Sequence, residues 1–207
     1  MLSPVKIAVL VSGGGTNLQA LIDAQTKGSL KSGKISLVVS SNPDAYALKR
    51  AEQSGIPTAV SVRRGHSQEE FEASLSVLLE EYHIDLIILA GFMSILSAEF
   101  TRHWPERIIN VHPALIPSFC GKGFYGLKVH EAALSCGVKV TGATVHFVNE
   151  VPDGGKIIAQ KAVAVRGGDT PETLQRRVME QAEWVLLPRA AEQVARVMAK
   201  EKGRNQS

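Results

Sequence analysis

The sequence is poor in cysteine and contains no long apolar run, and both shortages exclude classes of protein. Cys120 and Cys136 are the two cysteines in 207 residues, and they form neither a C-x-x-C pair nor a metal-ligand spacing. A disulfide framework and a zinc site are therefore not expected. No apolar run approaches the roughly 20 residues of a membrane span, and the stretch before the first strand is too short for a signal peptide. We expect a cytoplasmic protein that binds no membrane and no metal.

An excess of charge of one sign is also lacking. The 23 Lys and Arg residues nearly balance the 20 Asp and Glu residues, which leaves a net charge of +3. No basic stripe is interleaved with aromatic residues, which make up only 5% of the chain, so nucleic acid is not an expected partner. Hydrophobic residues make up 44% of the chain, which is ordinary for a globular protein. A chain of this length can form a hydrophobic core without disulfide bonds or structural metals. We expect one domain over residues 1–207, acting as a monomer or homodimer.

Short apolar runs alternate with helical patterns in the first part of the chain. Runs typical of buried strands occupy residues 6–11, 35–39, 58–62, 86–89 and 108–111. Helical patterns follow the glycines at 13–15, cover residues 45–54, and begin again at a capping box formed by Ser67 and Glu70. This alternation predicts an α/β fold with an open, mostly parallel twisted sheet, Rossmann-like, with helices on both faces.

The second part of the chain has a different pattern. Residues 140–148 alternate in polarity, Asp153-Gly154-Gly155 is a turn signal, and strand character resumes over residues 156–165. This predicts an antiparallel strand pair added to the parallel sheet. A final helix is expected to begin at Thr170-Pro171-Glu172, with threonine as the cap and proline in the first turn.

Three consecutive glycines, Gly13 to Gly15, lead from the first strand into the first helix, and this arrangement is typical of an anion site. Glycines let the backbone approach a ligand closely, and the N–H groups of the helix's first turn point at it. The loop is not a Walker loop, because no Gly-Lys-Ser/Thr follows, and Leu18 occupies the third glycine position of the dinucleotide fingerprint. A single phosphate monoester fits best, and a tight turn without a ligand is the alternative.

Asn110 and His112 lie at the carboxyl end of a predicted parallel strand, the edge at which open α/β sheets bind ligands. Being two residues apart, they point to the same face. An amide that holds an oxyanion beside an imidazole that moves protons suits acyl transfer. Asp153 lies in a loop that could return over the same edge, where its carboxylate would orient His112 and stabilise the imidazolium.

Each of these residues also has an interpretation without catalysis. Asn-x-His-Pro is often a loop whose side chains bond to backbone, and an aspartate before two glycines is often a turn residue. Ser118 and Cys120 are conceivable nucleophiles, but neither lies in a suitable turn. His146 is interpreted as a structural residue within its strand. The other histidines show no clustering and are interpreted as surface or packing residues: His66, His83, His103 and His130.

Five segments, in order, resemble one family. They are KIAVLVSGGGTNLQALIDA, DLIILAGFMSILS, RIINVHPALIPSF, TGATVHFVNEVPDGGKIIAQ, and Glu183 before Leu187-Pro188. Together they are similar to the glycinamide ribonucleotide formyltransferases, folate-dependent enzymes of purine synthesis. The resemblance runs from Lys6 to about Val197. It implies the fold of that family and transfer of a formyl group from 10-formyltetrahydrofolate to the glycine amine of glycinamide ribonucleotide, without a metal.

The resemblance also implies roles for individual residues. It makes Asn110, His112 and Asp153 the catalytic trio, with Asn110 as oxyanion donor, His112 as acid and base, and Asp153 as orienting carboxylate. The implied substrate-binding residues are Gly15, Thr16, Asn17, Gly91, Met93 and Glu183. The implied folate-binding residues are Phe92, Ser94, Ile95, Leu96, Val148, Asn149 and Glu150. On this interpretation phosphate binds within residues 1–105, while residues 106–207 bind folate and carry the catalytic trio.

Four features depart from the family pattern. Ser94 stands where many relatives carry a longer basic side chain, and Glu180 stands where relatives often have Lys or Gln. The spacing just before Glu183 is one residue longer than usual. The segment 120–126 is longer and richer in glycine than in some relatives, and we expect a mobile loop at the folate entrance.

Several rival functions share this core. A formyltetrahydrofolate hydrolase uses water as the acceptor and typically carries an extra N-terminal domain, and a methionyl-tRNA formyltransferase adds a C-terminal RNA-binding domain. Both are longer than 207 residues. A formyltransferase acting on another small amine is a third alternative. A phosphate-binding module without catalysis is the fourth, and the presence of Asn110, His112 and Asp153 together argues against it.

Overall fold

The structure is a computed structural model that describes residues 3–205. Residues 1 and 2, part of the stretch judged too short for a signal peptide, lie outside that range. The strands in it are β1 (Val5–Val11), β2 (Gly33–Ser40), β3 (Thr58–Val60), β4 (Leu86–Leu89), β5 (Ile108–His112), β6 (Val140–Phe147) and β7 (Ile157–Ala164). The helices are α1 (Thr16–Thr26), α2 (Tyr46–Gln53), α3 (Gln68–Glu81), α4 (Ala98–His103), α5 (Leu127–Cys136), α6 (Pro171–Val178) and α7 (Trp184–Asn205).

The strands of the described range form one seven-stranded sheet in the order β3-β2-β1-β4-β5-β6-β7. Strands β1 to β5 run parallel, whereas β6 is antiparallel to both β5 and β7. The predicted fold class is therefore confirmed, including the antiparallel pair. The strand order reverses between β1 and β4, so the loops after these two strands diverge and leave the crevice in which such sheets bind ligands.

The sheet has a hydrophobic core on each face, as the continuous apolar strands predicted. Along β1, Val9 and Val11 belong to the core shared with α1 and α7, while Ala8 and Leu10 belong to the core shared with α3. Helix α3 begins at the predicted capping box, in which Ser67 accepts from the Glu70 N–H. Helix α6 begins at Thr170, also as predicted.

Two short helices and one strand boundary differ from the sequence prediction. Helix α4 is capped by Ser97 but has only six residues, too few to show a helical period. Helix α5 follows Gly126, which provides no side-chain cap. The strand predicted over 58–62 ends at Val60, and the Ser61 N–H makes one last bond to the Ser40 carbonyl of β2 at 2.9 Å. No helix within residues 3–205 is long and apolar enough to cross a membrane.

A π-helical turn, Met179–Glu183, joins α6 to α7. A π turn accommodates one extra residue within a helix without breaking it, and it is frequent at functional sites. It lies where the resemblance predicts one residue more than usual before Glu183. The carboxyl group of Glu183 lies in the interior beside α1.

Candidate active site

Strand β5 brings Asn110 and His112 to its carboxyl end, and the neighbouring strand β6 adds a third polar residue. Asn110 pairs with His146 in the antiparallel register. The Asn110 Nδ2 atom lies 3.3 Å from Nε2 of His146. His112 and His146 are both buried, so the polar groups are held within the protein and not on a mobile surface.

Asp153 reaches this cluster from the loop between β6 and β7. Its Oδ2 atom is 3.5 Å from Nδ1 of His112, and its Oδ1 atom is 3.5 Å from Nε2 of His146. Oδ2 also accepts a hydrogen bond from the backbone N–H of Gly121 at 2.8 Å. Asp153 does lie in a turn, with a φ of 55°, but its carboxylate binds groups distant in sequence. The side chains that the sequence predicted to meet are therefore brought together.

Hydrogen bonding assigns the proton of the His112 ring. Its Nε2 atom lies 2.8 Å from the carbonyl oxygen of Phe119, which can only accept, so Nε2 carries a proton. Nδ1 is then the basic nitrogen of the neutral ring, and it faces Asp153. Burial lowers the pKa of His112 below its ordinary value, against the opposing effects of the Asp153 charge and the Phe119 carbonyl. The neutral ring is therefore the resting form at neutral pH.

Asp153 is the anionic member of the cluster. Burial raises its pKa, but hydrogen bonding from His146, the neighbouring imidazoles and the Gly121 N–H together outweigh burial, and the pKa of Asp153 lies below its usual value. The half-buried carboxylate of Asp153 beside His112 favours a transient positive charge on that ring. The cluster can thus accept a proton and stabilise it.

His146 is the residue that sequence reasoning missed. It was interpreted as structural, yet its ring lies between Asn110 and Asp153. Its Nδ1 atom is 2.8 Å from the carbonyl oxygen of Phe147, which turns Nε2 towards the site. The available sequence signal was the alternation of side chains along β6, which predicts that His146 and Thr144 lie on the same face of the sheet. The sequence alone does not disclose which residue of β5 lies opposite.

The glycine loop lies at the crevice between β1 and β4. Gly15 has a φ of 73° and caps α1, whose first turn contains Thr16 and Asn17. The Ser12 hydroxyl accepts a hydrogen bond from the Met93 N–H at 2.9 Å, which ties the loop after β4 to the loop after β1. This geometry leaves the amino end of a helix beside the crevice, as an anion site requires.

Asn17 and Glu183 form a buried pair at the base of this loop. The Asn17 amide donates to Oε2 of Glu183 at 2.6 Å, while its Oδ1 atom has no partner among the described residues. Burial raises the pKa of Glu183, and the bond from Asn17 only partly opposes that rise. Glu180, whose charge departs from the family pattern, is paired with Arg176 on the surface at 3.1 Å.

The segments predicted to bind folate meet at one hydrophobic cluster. Phe92, Leu96 and Val148 pack on the core that α3 covers. Met93 and Ile95 are exposed, at 57% and 66%, so apolar surface is available beside that cluster. The Asn149 side chain accepts from the Val151 N–H at 3.0 Å and shapes the loop that leads to Asp153. Ser94 and Glu150 lie within the same two segments.

Burial shifts the pKa of two remaining candidate residues, Cys120 and His130. The Cys120 thiol donates to the Pro117 carbonyl, and burial raises its pKa, which opposes formation of a thiolate. Burial lowers the pKa of His130 to about 4 and keeps the ring neutral within α5. Within residues 3–205, no group of three or more His, Cys, Asp or Glu side chains is arranged to hold a metal.

Comparison with known proteins points to one family. The chain matches the formyl transferase family over residues 5–190. It is 42% identical to phosphoribosylglycinamide formyltransferase of Haemophilus influenzae, over 88% of this chain and 84% of that protein. It is 48% identical to the trifunctional purine biosynthetic protein adenosine-3 of Gallus gallus over 92% of this chain, which spans only 18% of that longer protein.

A solved structure gives the same result at the level of the fold. Glycinamide ribonucleotide transformylase 1 from Symbiobacterium toebii superposes with a TM-score of 0.86 at 40% identity. The match covers 93% of this chain and 88% of that one. The match to the family, the similarity to its members and the shared fold agree, and the chain belongs to the formyl transferase family.

Proposed function

We propose that this protein transfers the formyl group of 10-formyltetrahydrofolate to the glycine amine of glycinamide ribonucleotide, in de novo purine synthesis. The observation that carries the proposal is the cluster of the buried His112 with the half-buried Asn110 and Asp153, at the crevice that the glycine loop also borders. Relatives named for this reaction support the same substrates. The protein is proposed to act in the cytoplasm on small molecules, and the unpaired thiols of Cys120 and Cys136 suit a reducing compartment.

Both substrates have a complementary surface. The phosphate group would bind the N–H groups of Gly15, Thr16 and Asn17 at the start of α1. Glu183, with a carboxyl group beside Asn17, would bind the ribose hydroxyls. The flat folate ring would bind between the segment 92–96 and the segment 148–153, whose buried and exposed apolar side chains suit an aromatic ligand.

The chemistry is a direct transfer. A bond forms between the amine nitrogen of the acceptor and the formyl carbon, and the bond between that carbon and N10 of the folate breaks. One proton leaves the amine and one is delivered to N10, so no oxidant, reductant or metal is required. Binding both substrates side by side aligns the amine with the formyl carbon, which lowers the entropic part of the barrier.

Asn110 and His112 would have different roles in this step. The Asn110 amide would donate to the oxygen that gains negative charge during addition, and loss of one such donor costs about 3 kcal/mol of barrier stabilisation. His112 would move the proton, an effect of roughly 10²–10⁴-fold. Because Nε2 of His112 bonds to the Phe119 carbonyl, we propose that substrate replaces this carbonyl when it binds. The neutral ring would then carry its proton on Nδ1, facing Asp153, and Nε2 would accept the proton of the amine and later deliver it to N10. Asp153 would then stabilise the imidazolium.

The test is formation of folate product, followed by absorbance with and without glycinamide ribonucleotide. Product only in its presence supports the transferase, and product without it supports the hydrolase. Product with a different small amine alone identifies another formyltransferase, and no product with any acceptor supports a module without catalysis.

The acid–base assignment has a separate test. The variant His112→Ala should retain its fold and substrate binding but lose turnover. His103→Ala changes an exposed histidine on α4 and is the matched control, with turnover unchanged. Near-normal turnover of His112→Ala would refute the role of His112.

A further inference from the structure

A glycine loop binds an anion only if its N–H groups, and not its carbonyl oxygens, face the ligand. In this protein all three glycine carbonyls are already paired elsewhere. The acceptor and donor pairs are Gly13 O with Ala47 N at 3.0 Å, Gly14 O with Arg50 Nε at 2.8 Å, and Gly15 O with Gln19 N at 2.9 Å. Two of these three bonds come from α2, which is not part of the loop or of α1.

The bond to Gly14 differs from the other two, because a side chain supplies it. Arg50 is also held in place by two further contacts. Its Nη1 atom donates to Oε1 of Gln19 at 3.1 Å, and its guanidinium lies over the ring of Tyr46, 5.0 Å from the centroid. The guanidinium therefore bridges the loop and the first turn of α1 in one fixed orientation.

The peptide between Gly14 and Gly15 needs such an anchor. Glycine adopts both signs of φ with little cost, so a peptide flanked by two glycines can rotate and present its oxygen to the site. An ideal Cβ at Gly14 meets no atom within 4 Å, whereas one at Gly15 would lie 2.6 Å from the Cβ of Ala47, so packing restrains this peptide only on its Gly15 side. Only the bond from Arg50 holds the Gly14 carbonyl among the hydrogen bonds of the described residues.

We propose that Arg50 is a positioning residue for phosphate recognition. It holds the Gly14 carbonyl away from the site, so that the loop presents N–H groups, and it adds a positive charge beside the loop. The identity of the phosphorylated substrate rests on the proposed function, whereas the effect on the loop does not.

Two variants separate geometry from charge. Arg50→Met removes the bond and the charge, while Arg50→Lys keeps the charge but lacks the planar fork that reaches both Gly14 and Gln19. Lys49→Met is the matched control, because Lys49 is the exposed neighbouring cation on the same helix. The measurements are the Kd for inorganic phosphate by calorimetry, the KM for glycinamide ribonucleotide, the KM for the folate, and the thermal midpoint of each folded variant.

Arg50→Met should raise the Kd for phosphate and the KM for the ribonucleotide by roughly ten- to a hundredfold, the loss expected for a hydrogen bond from a charged donor. The KM for the folate and kcat should stay within about twofold. Arg50→Lys should recover only part of the loss, and Lys49→Met should resemble the wild type.

Other outcomes overturn the proposal. Full recovery by Arg50→Lys would show that charge alone matters, and an equal rise in both KM values would show a general structural role. Unchanged phosphate binding in Arg50→Met would remove the role altogether. Failure of the proposed function is distinguishable, because a wild type that binds phosphate but forms no folate product leaves the phosphate measurements valid.

Discussion

Gly15 is the position at which a single methyl group should do the most damage to the glycine loop. It has a φ of 73°, and it lies against α2. An added Cβ would lie 2.6 Å from the Cβ of Ala47 and 2.8 Å from its Cα. Ala47 has no rotamer to change, so the relief of this clash requires movement of the loop or of the helix.

The expected cost of Gly15→Ala has two parts. A left-handed backbone costs a residue with a Cβ roughly 1–2 kcal/mol more than glycine. Forcing an extra carbon into a packed contact costs about 1–3 kcal/mol. The two together predict a loss of about 2–5 kcal/mol in the free energy of unfolding, which is a large share of the roughly 5–15 kcal/mol that holds a domain folded.

The assay is urea unfolding of Gly15→Ala beside Gly13→Ala. Gly13 has no atom within 4 Å of an ideal Cβ and no positive φ, so its variant should change stability by less than about 0.5 kcal/mol. Phosphate affinity should fall in Gly15→Ala, because the displaced loop no longer aligns its N–H groups. Equal unfolding midpoints for the two variants would refute the reasoning from φ and contact.

Three further predictions concern charge and capping. Asp153→Asn removes the charge that raises the pKa of His112, so the acidic limb of kcat/KM should move to lower pH, and a pH–rate profile that moves to higher pH would contradict this. Burial raises the pKa of Glu183 above 4.5, so its stabilising contribution is present below that pH and lost as the pH rises through the folded-state value. Glu183→Gln should therefore be at least as stable as the wild type at neutral pH. Glu183→Ala leaves the Asn17 amide unpaired, and its free energy of unfolding in urea should fall by about 2–3 kcal/mol. Ser67→Ala removes the cap of α3 and should lower stability by about 1 kcal/mol in the same assay, without change in KM.

The parallel half of the fold was predictable because its signals are local. A buried parallel strand is a continuous apolar run, and a capping box such as Ser67 with Glu70 marks a helix start within four residues. The glycine loop after β1 was readable for the same reason, since strand, glycines and helix follow one another directly. Helices α4 and α5 escaped prediction because α4 has only six residues and α5 starts without a cap.

The candidate site was predictable only in part. Asn110 and His112 belong to one strand, so their common face follows from the period of two. His146 was not identified, because its position opposite Asn110 depends on the register of β6 against β5. The fixed Gly14 carbonyl was equally hidden, since Arg50 lies 36 residues from it along the chain.

Local sequence patterns were enough to predict the sheet, its two apolar faces, the glycine loop and the kinds of side chain at the candidate site, because periodicity, propensity and capping act between near neighbours. Tertiary structure alone decided which side chains meet and how they are protonated. Burial keeps His112 neutral despite the nearby carboxylate of Asp153, and it raises the pKa of Glu183. Such effects depend on water excluded by strands and loops that are distant in the chain, and no local pattern of residues encodes that exclusion.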